Sequence, residues 1–212
     1  MQVPYFSQWE SPDLTSAVIA EGEAALRRDP RWRDSGATDL DEYATWALHC
    51  CGMACLKMVL AARTGRVVPI LDLARGCTQA GGYVVDPAAD TIRGLIYAPF
   101  VPWVAEAFGL DAGVVTDVTA ADLPDLLRDN AFFIASVHHA IRWPEQDPPH
   151  RGGHLVLVYA ADAHGITFHN PSGHTRATQQ AAHLPLATFE RFFAGRGIRI
   201  ARQPPDRAAV RA

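Results

Sequence analysis

Cysteine is scarce in this chain and oddly placed. There are four in 212 residues; Cys50, Cys51 and Cys55 crowd together, and only Cys77 stands apart. A disulfide framework spreads its cysteines to close loops, so this crowding argues against one and for a reducing compartment. A basic surplus is also missing: the formal net charge is −4, and apart from an arginine-bearing tail (Arg199, Arg202, Arg207, Arg211) the cations are scattered. That balance gives no support to nucleic-acid or anionic-membrane partners. No apolar run approaches the roughly 18 residues of a membrane span. The start, Met1-Gln2-Val3-Pro4-Tyr5, lacks the basic and apolar regions of a secretory signal, and the expected location is cytoplasmic. No internal repeat or low-complexity segment occurs before the tail that begins at Pro204.

With 49% hydrophobic residues, the chain can bury a sizeable core as one domain, expected over 1–203 with a flexible tail at 204–212. An extended segment over 3–8 precedes an amphipathic helix predicted for 13–28. Thr38-Asp39-Leu40-Asp41 has the character of a capping box opening a helix to about Leu48. The next helix, from about Cys51 to Arg63, is apolar on nearly every face, which predicts a buried position. Further helices are expected over 70–77, 98–108, 119–130 and 186–194. Strands rich in β-branched and aromatic residues are expected over 131–138, 154–161, 165–169 and 198–202. Helices first and antiparallel strands later indicate an α+β domain, with the buried helix packed on a C-terminal sheet.

Chemistry concentrates at a few positions. Cys51 opens the buried helix, where the positive end of the helix dipole favours thiolate, the nucleophilic form. His154 follows Gly152-Gly153 at the mouth of a buried strand and is the candidate base. Asn170, just beyond the next strand in His169-Asn170-Pro171, can orient the imidazole if the Asp162-Gly165 turn folds the two strands into a hairpin. Taken singly, each has a plainer explanation: a core thiol, a structural histidine, a turn asparagine. Gln8 is a candidate oxyanion-hole donor beside the Cys51 N–H, or else a surface amide. Trp9, His138, His139 and Trp143 are expected at the rim of the cleft as substrate contacts. Cys55 and Cys77 read as packing, and Cys50 as a spare thiol. His49, Cys50, Cys51 and Cys55 are potential zinc ligands, but four ligands from one helix start make poor tetrahedral geometry, so no metal or other cofactor is expected.

Taken together, Val3-Pro4-Tyr5-Phe6-Ser7-Gln8, Cys51-Gly52 with Leu56-Lys57-Met58, Gly153-His154 and Asn170-Pro171 resemble the peptidase C39-like group of papain-fold proteins. The resemblance implies a papain-like fold and thiol-dependent acyl transfer. It assigns Cys51 as nucleophile, His154 as base, Asn170 as orienting residue and Gln8 to the oxyanion hole. Two departures stand out. Cys50 occupies the position where the family usually carries an acidic residue, and residues 9–45 form an insertion expected to cap the cleft with helices.

The leading functional expectation is a cysteine-dependent hydrolase of a peptide or amide bond working through an acyl-enzyme thioester. A variant passes the acyl group to an amine or thiol instead of water. A non-catalytic binding module that keeps the cleft, and a zinc protein, are the readings from other classes.

Overall fold

The computed structural model describes residues 2–89 and 91–202; the expected tail at 204–212 lies outside them. After a 3-10 turn at Pro12–Leu14, the helix expected over 13–28 is split into α1 (Thr15–Glu21) and α2 (Glu23–Leu26). The break is at Gly22, which has φ +60° and ψ −131°, a conformation that no helix residue adopts. Helix α3 (Leu40–Ala47) starts where the capping signal placed it: Asp39 accepts from the Glu42 N–H at 2.8 Å, and Glu42 reaches back to Thr38. The long helix α4 (Cys51–Thr64) follows, then α5 (Ile70–Gln79), a small hairpin of β1 (Val84–Asp86) and β2 (Thr91–Arg93), and α6 (Tyr97–Phe108). The remaining elements are β3 (Ala112–Val115), α7 (Leu123–Asp129), β4 (Asn130–Val137), β5 (His154–Ala161), β6 (Ile166–His169), α8 (Arg176–Gln179), β7 (Ala182–Leu184), α9 (Leu186–Phe192) and β8 (Phe193–Ala201).

The main sheet is antiparallel throughout, in the order β3-β8-β4-β5-β6-β7. Its two faces are read directly from alternation. Phe132, Ile134, Leu155, Leu157, Ile198 and Ile200 join α4, α5 and α6 in one core, whereas Phe133, Ala135, Val137, Val156 and Val158 join α7 and α9 in another. Burial on both faces explains why β4 and β5 read as continuous apolar runs. Helix α4 lies across β5 and β4, buried from Gly52 to Leu60, as its all-round apolar sequence predicted.

Four strand features escaped the sequence reading: the β1–β2 hairpin, β3, β7 and the first half of β8. The first three have only three or four residues each, too short for a period to register. In β8 the glycines at 195 and 197 weaken the strand signal, yet Gly197 is needed there. A Cβ at 197 would meet the Ile134 carbonyl oxygen at 2.3 Å, so only glycine lets β8 approach β4 this closely.

The inserted segment builds a small core of its own from Trp9, Val18, Ala25, Leu26, Tyr43, Ala44 and Ala47. A buried carboxylate ties it together. Asp29 accepts from the Ser11 N–H and hydroxyl, from the Arg31 N–H and from the Tyr43 hydroxyl, which itself accepts from the Glu10 N–H.

Candidate active site

Cys51 begins α4, so the N–H groups of that first turn have no carbonyl ahead of them in the helix. It is the only one of the four free cysteines that is not buried. The glycine that follows sets how near the helix comes to the sheet: a Cβ on Gly52 would lie 2.9 Å from Leu95 Cδ2 and 3.0 Å from Leu155 Cδ1. The Cys-Gly pair therefore brings the sulfur to the mouth of β5.

His154, the first residue of β5, is delivered by two consecutive glycines in the left-handed region, Gly152 at φ +85° and Gly153 at φ +95°. Cys51 and His154 line one cavity of about 340 Å³, together with Gly94, Leu95, Tyr97, Ser136, Gly153, Leu155 and Arg196. The β5–β6 hairpin then returns the chain to the same end of the sheet, with Leu157 opposite His169. That register sets Asn170 beside the histidine, and Asn170 Oδ1 lies 2.8 Å from His154 Nε2. The same Oδ1 accepts from the Ser172 N–H at 3.1 Å, which fixes it as an acceptor and puts the imidazole proton on Nε2. Nδ1 has no hydrogen-bond partner among the described residues and is left as the basic nitrogen.

Two further residues, absent from the sequence reading, complete this network. Ser172 Oγ is 3.1 Å from His154 Nε2, and Arg142 donates to that hydroxyl through Nε at 3.2 Å and Nη2 at 2.6 Å. The guanidinium is mostly buried, and burial lowers its pKa to about 10, countered by the nearby Cys51 sulfur. No spacing rule could have found this pair, because the 3-10 turn that carries Arg142 (His139–Arg142) and the turn after β6 meet only in the fold.

Electrostatically, burial dominates. It pushes the His154 imidazole down to about 3, reinforced by Arg142 and opposed by the bond to Asn170. Burial also raises the Cys51 thiol, offset in part by the amides of Leu155, Gly52 and Cys51 itself and by Arg142. Both shifts favour the neutral forms, thiol and imidazole, over the ion pair. The expectation that the helix terminus alone would favour thiolate is thus corrected: desolvation outweighs the dipole here.

Other expected positions fall elsewhere. Gln8 donates its side-chain amide hydrogens to the Ala47 and Leu48 carbonyls, at 2.9 and 3.2 Å, and it does not line the cavity. It anchors the end of α3 rather than offering an oxyanion donor, and its Oε1 is buried without a partner among the described residues. Trp9 is buried in the core of the insertion, with Nε1 bonded to Thr15 Oγ1. No residue of 9–45 lines the Cys51 cavity, so the insertion is not a cap over it. His138 is buried, accepts from the Ala140 N–H and packs against His139 and His150; Trp143 packs against His174. None of the three expected rim residues at 138, 139 and 143 lines the cavity. Cys50, Cys55 and Cys77 are buried thiols whose pKa values burial raises. Among the described residues, no group of three histidine, cysteine or acidic side chains is arranged to hold a metal.

No protein-family model matches this sequence, and no curated protein does. In three dimensions the chain is similar to the peptidase domain of Streptococcus ComA, a bifunctional ABC transporter involved in a quorum-sensing pathway. The identity is 18%, the TM-score 0.50, and the match covers 74% of this chain and 93% of that one. It is also similar to a double-glycine-motif protease from an AMS/PCAT transporter, solved with its leader peptide, at 16% identity and a TM-score of 0.45 over 72% of this chain and 84% of that one. The likeness to the ComA domain shows that this chain has the α+β, papain-like fold of a C39 peptidase domain.

Proposed function

We propose that this protein is a cysteine-dependent acyl-transfer enzyme that cleaves a peptide or amide bond through a thioester on Cys51. The observation that carries this reading is the convergence of three segments. A thiol at the start of α4 and an imidazole at the start of β5 share one cavity, and the imidazole is held through Nε2 by a buried carboxamide, leaving Nδ1 as base.

In this mechanism the thiol proton passes to His154 Nδ1 as sulfur attacks the acyl carbon. Because burial favours the neutral thiol and imidazole, charge separation accompanies attack. The oxyanion that forms faces the N–H groups of the first turn of α4, including that of Cys51. The imidazolium then returns its proton to the departing amine, leaving the thioester. A water, or an amine or thiol acceptor, next gives its proton to Nδ1 and attacks the thioester carbon, and Cys51 is regenerated. Asn170 keeps the ring oriented throughout, and Ser172 with Arg142 restrains the same edge of the ring.

Intact-mass spectrometry after incubation with a panel of peptide, amide and thioester substrates tests this reading. Wild type is expected to gain the mass of one acyl group, and Cys51→Ala to gain none. Hydroxylamine or an added amine appearing in the released product would identify acyl transfer beyond hydrolysis. An adduct that persists undiminished in Cys51→Ala would refute the assignment.

A further inference from the structure

Among the described residues, Arg196 is the one cation that lines the Cys51 cavity, and no carboxylate lines it. Its placement follows from an irregularity in the sheet. Strands β4 and β8 pair Ala135 with Gly197 but Val137 with Phe193, so residues 194–196 bulge out of the ladder. A bulge of this kind re-aims a side chain beside a site. Gly195, at φ +65°, supplies the required turn of the backbone. The guanidinium lies over the segment that delivers the histidine: a Cβ on Gly152 would be 3.8 Å from Arg196 Nη2 and 3.3 Å from Ser136 Oγ. Arg196 is exposed, and among the described residues it has neither an ion-pair partner nor a side-chain hydrogen bond.

We infer that the acyl substrate carries a carboxylate close to the scissile carbonyl and that Arg196 selects for it. This rests on the assignment of Cys51 as nucleophile. The mixed lining suits such a group: Leu95 and Leu155 supply apolar wall, Ser136 and Tyr97 supply hydroxyls, and a guanidinium accepts a carboxylate bidentately. The carboxylate could belong to an acidic side chain or to a free chain terminus; the chemistry is shared, and two probe pairs separate them.

Alkylation of Cys51, followed by peptide mapping, reads the preference without a known substrate. One pair is N-iodoacetyl-aspartate α-amide against its asparagine counterpart. The other is N-iodoacetyl-glycine against its methylamide. For at least one pair, the anionic-to-neutral rate ratio in wild type is expected to exceed that in Arg196→Ala by about tenfold, and to fall further in Arg196→Glu. Arg196→Lys should retain part of the preference, and added salt should reduce it. The pair that responds names the source of the carboxylate. Ratios that stay the same across wild type, Arg196→Ala and Arg196→Glu for both pairs would overturn the inference while leaving Cys51 reactive. If none of the four probes labels Cys51 and the substrate panel leaves no acyl mass on it, the nucleophile assignment fails, and this inference fails with it.

Discussion

Two buried polar networks lie in this molecule, and they differ in one respect. In the insertion, Asp29 collects the Ser11, Arg31 and Tyr43 donors, and every member faces another member or the local backbone. At the sheet, Asn170 and Ser172 converge on one nitrogen of His154, with Arg142 bonded behind the Ser172 hydroxyl, and the other nitrogen has no partner within the network. A closed network can only hold structure, because each group's hydrogen-bonding capacity is already used. An open one, with a basic atom left over beside a cavity and a thiol, can accept a proton. The comparison separates residues that keep the insertion folded from residues that the proposed mechanism uses.

The closed network is the place to expect the largest loss of stability. Asp29→Ala leaves four donors, the buried Tyr43 hydroxyl among them, without their acceptor and should cost about 3 kcal/mol or more, read from chemical denaturation. The rate of Cys51 alkylation per folded molecule should hold in that variant, since no inserted residue lines the cavity. The open network should respond the other way. Asn170→Ala is expected to lower turnover, or acylation by the best substrate found, about 100-fold, because the ring loses its orientation and tautomer control. Its loss of stability should be smaller than that of Asp29→Ala.

Smaller effects sharpen the contrast. Ser172→Ala removes the hydroxyl linking Arg142 to the imidazole and should lower the same rate about tenfold. A fall in stability with no fall in rate would move Ser172 into the purely structural class. The acid side of the stability curve gives the smallest step per unit. His154 has its folded pKa pushed from 6.5 to about 3, so the unfolded chain binds a proton that the folded one refuses. This contribution to stability is present above pH 6.5 and is lost as pH falls toward 3, at about 1 kcal/mol per unit in mid-window. His154→Gln should flatten that part of the profile. Alkylation of Cys51 by iodoacetamide should rise with pH past the ordinary cysteine range, because burial raises its thiol pKa.

Local signals in the sequence were enough for several elements. The cap at Asp39, the all-apolar α4 and the glycine pair before His154 each express a local constraint, and each stands where it was expected. The placement of Asn170 beside His154 was legible for a similar reason: a tight hairpin between β5 and β6 leaves little freedom in where Asn170 can return. The rim was not legible. Trp9 and Trp143 were expected there together with His138 and His139, which end a strand before a long loop, but what lines a cavity depends on which face packs inward.

By itself, then, the sequence determined the α+β class, the buried helix led by Cys51, and the hairpin that joins His154 to Asn170, because these arise from periodicity, caps and short turns acting within a few residues. Only the tertiary structure decided that desolvation outweighs the helix dipole at the thiol, that the insertion packs away from the cleft, and that Gln8 is spent on the end of α3. It alone brought Arg142 and Ser172 behind the imidazole and Arg196 to its front. Burial, and contact between strands far apart in the chain, are properties of how the elements pack, and no local pattern encodes them.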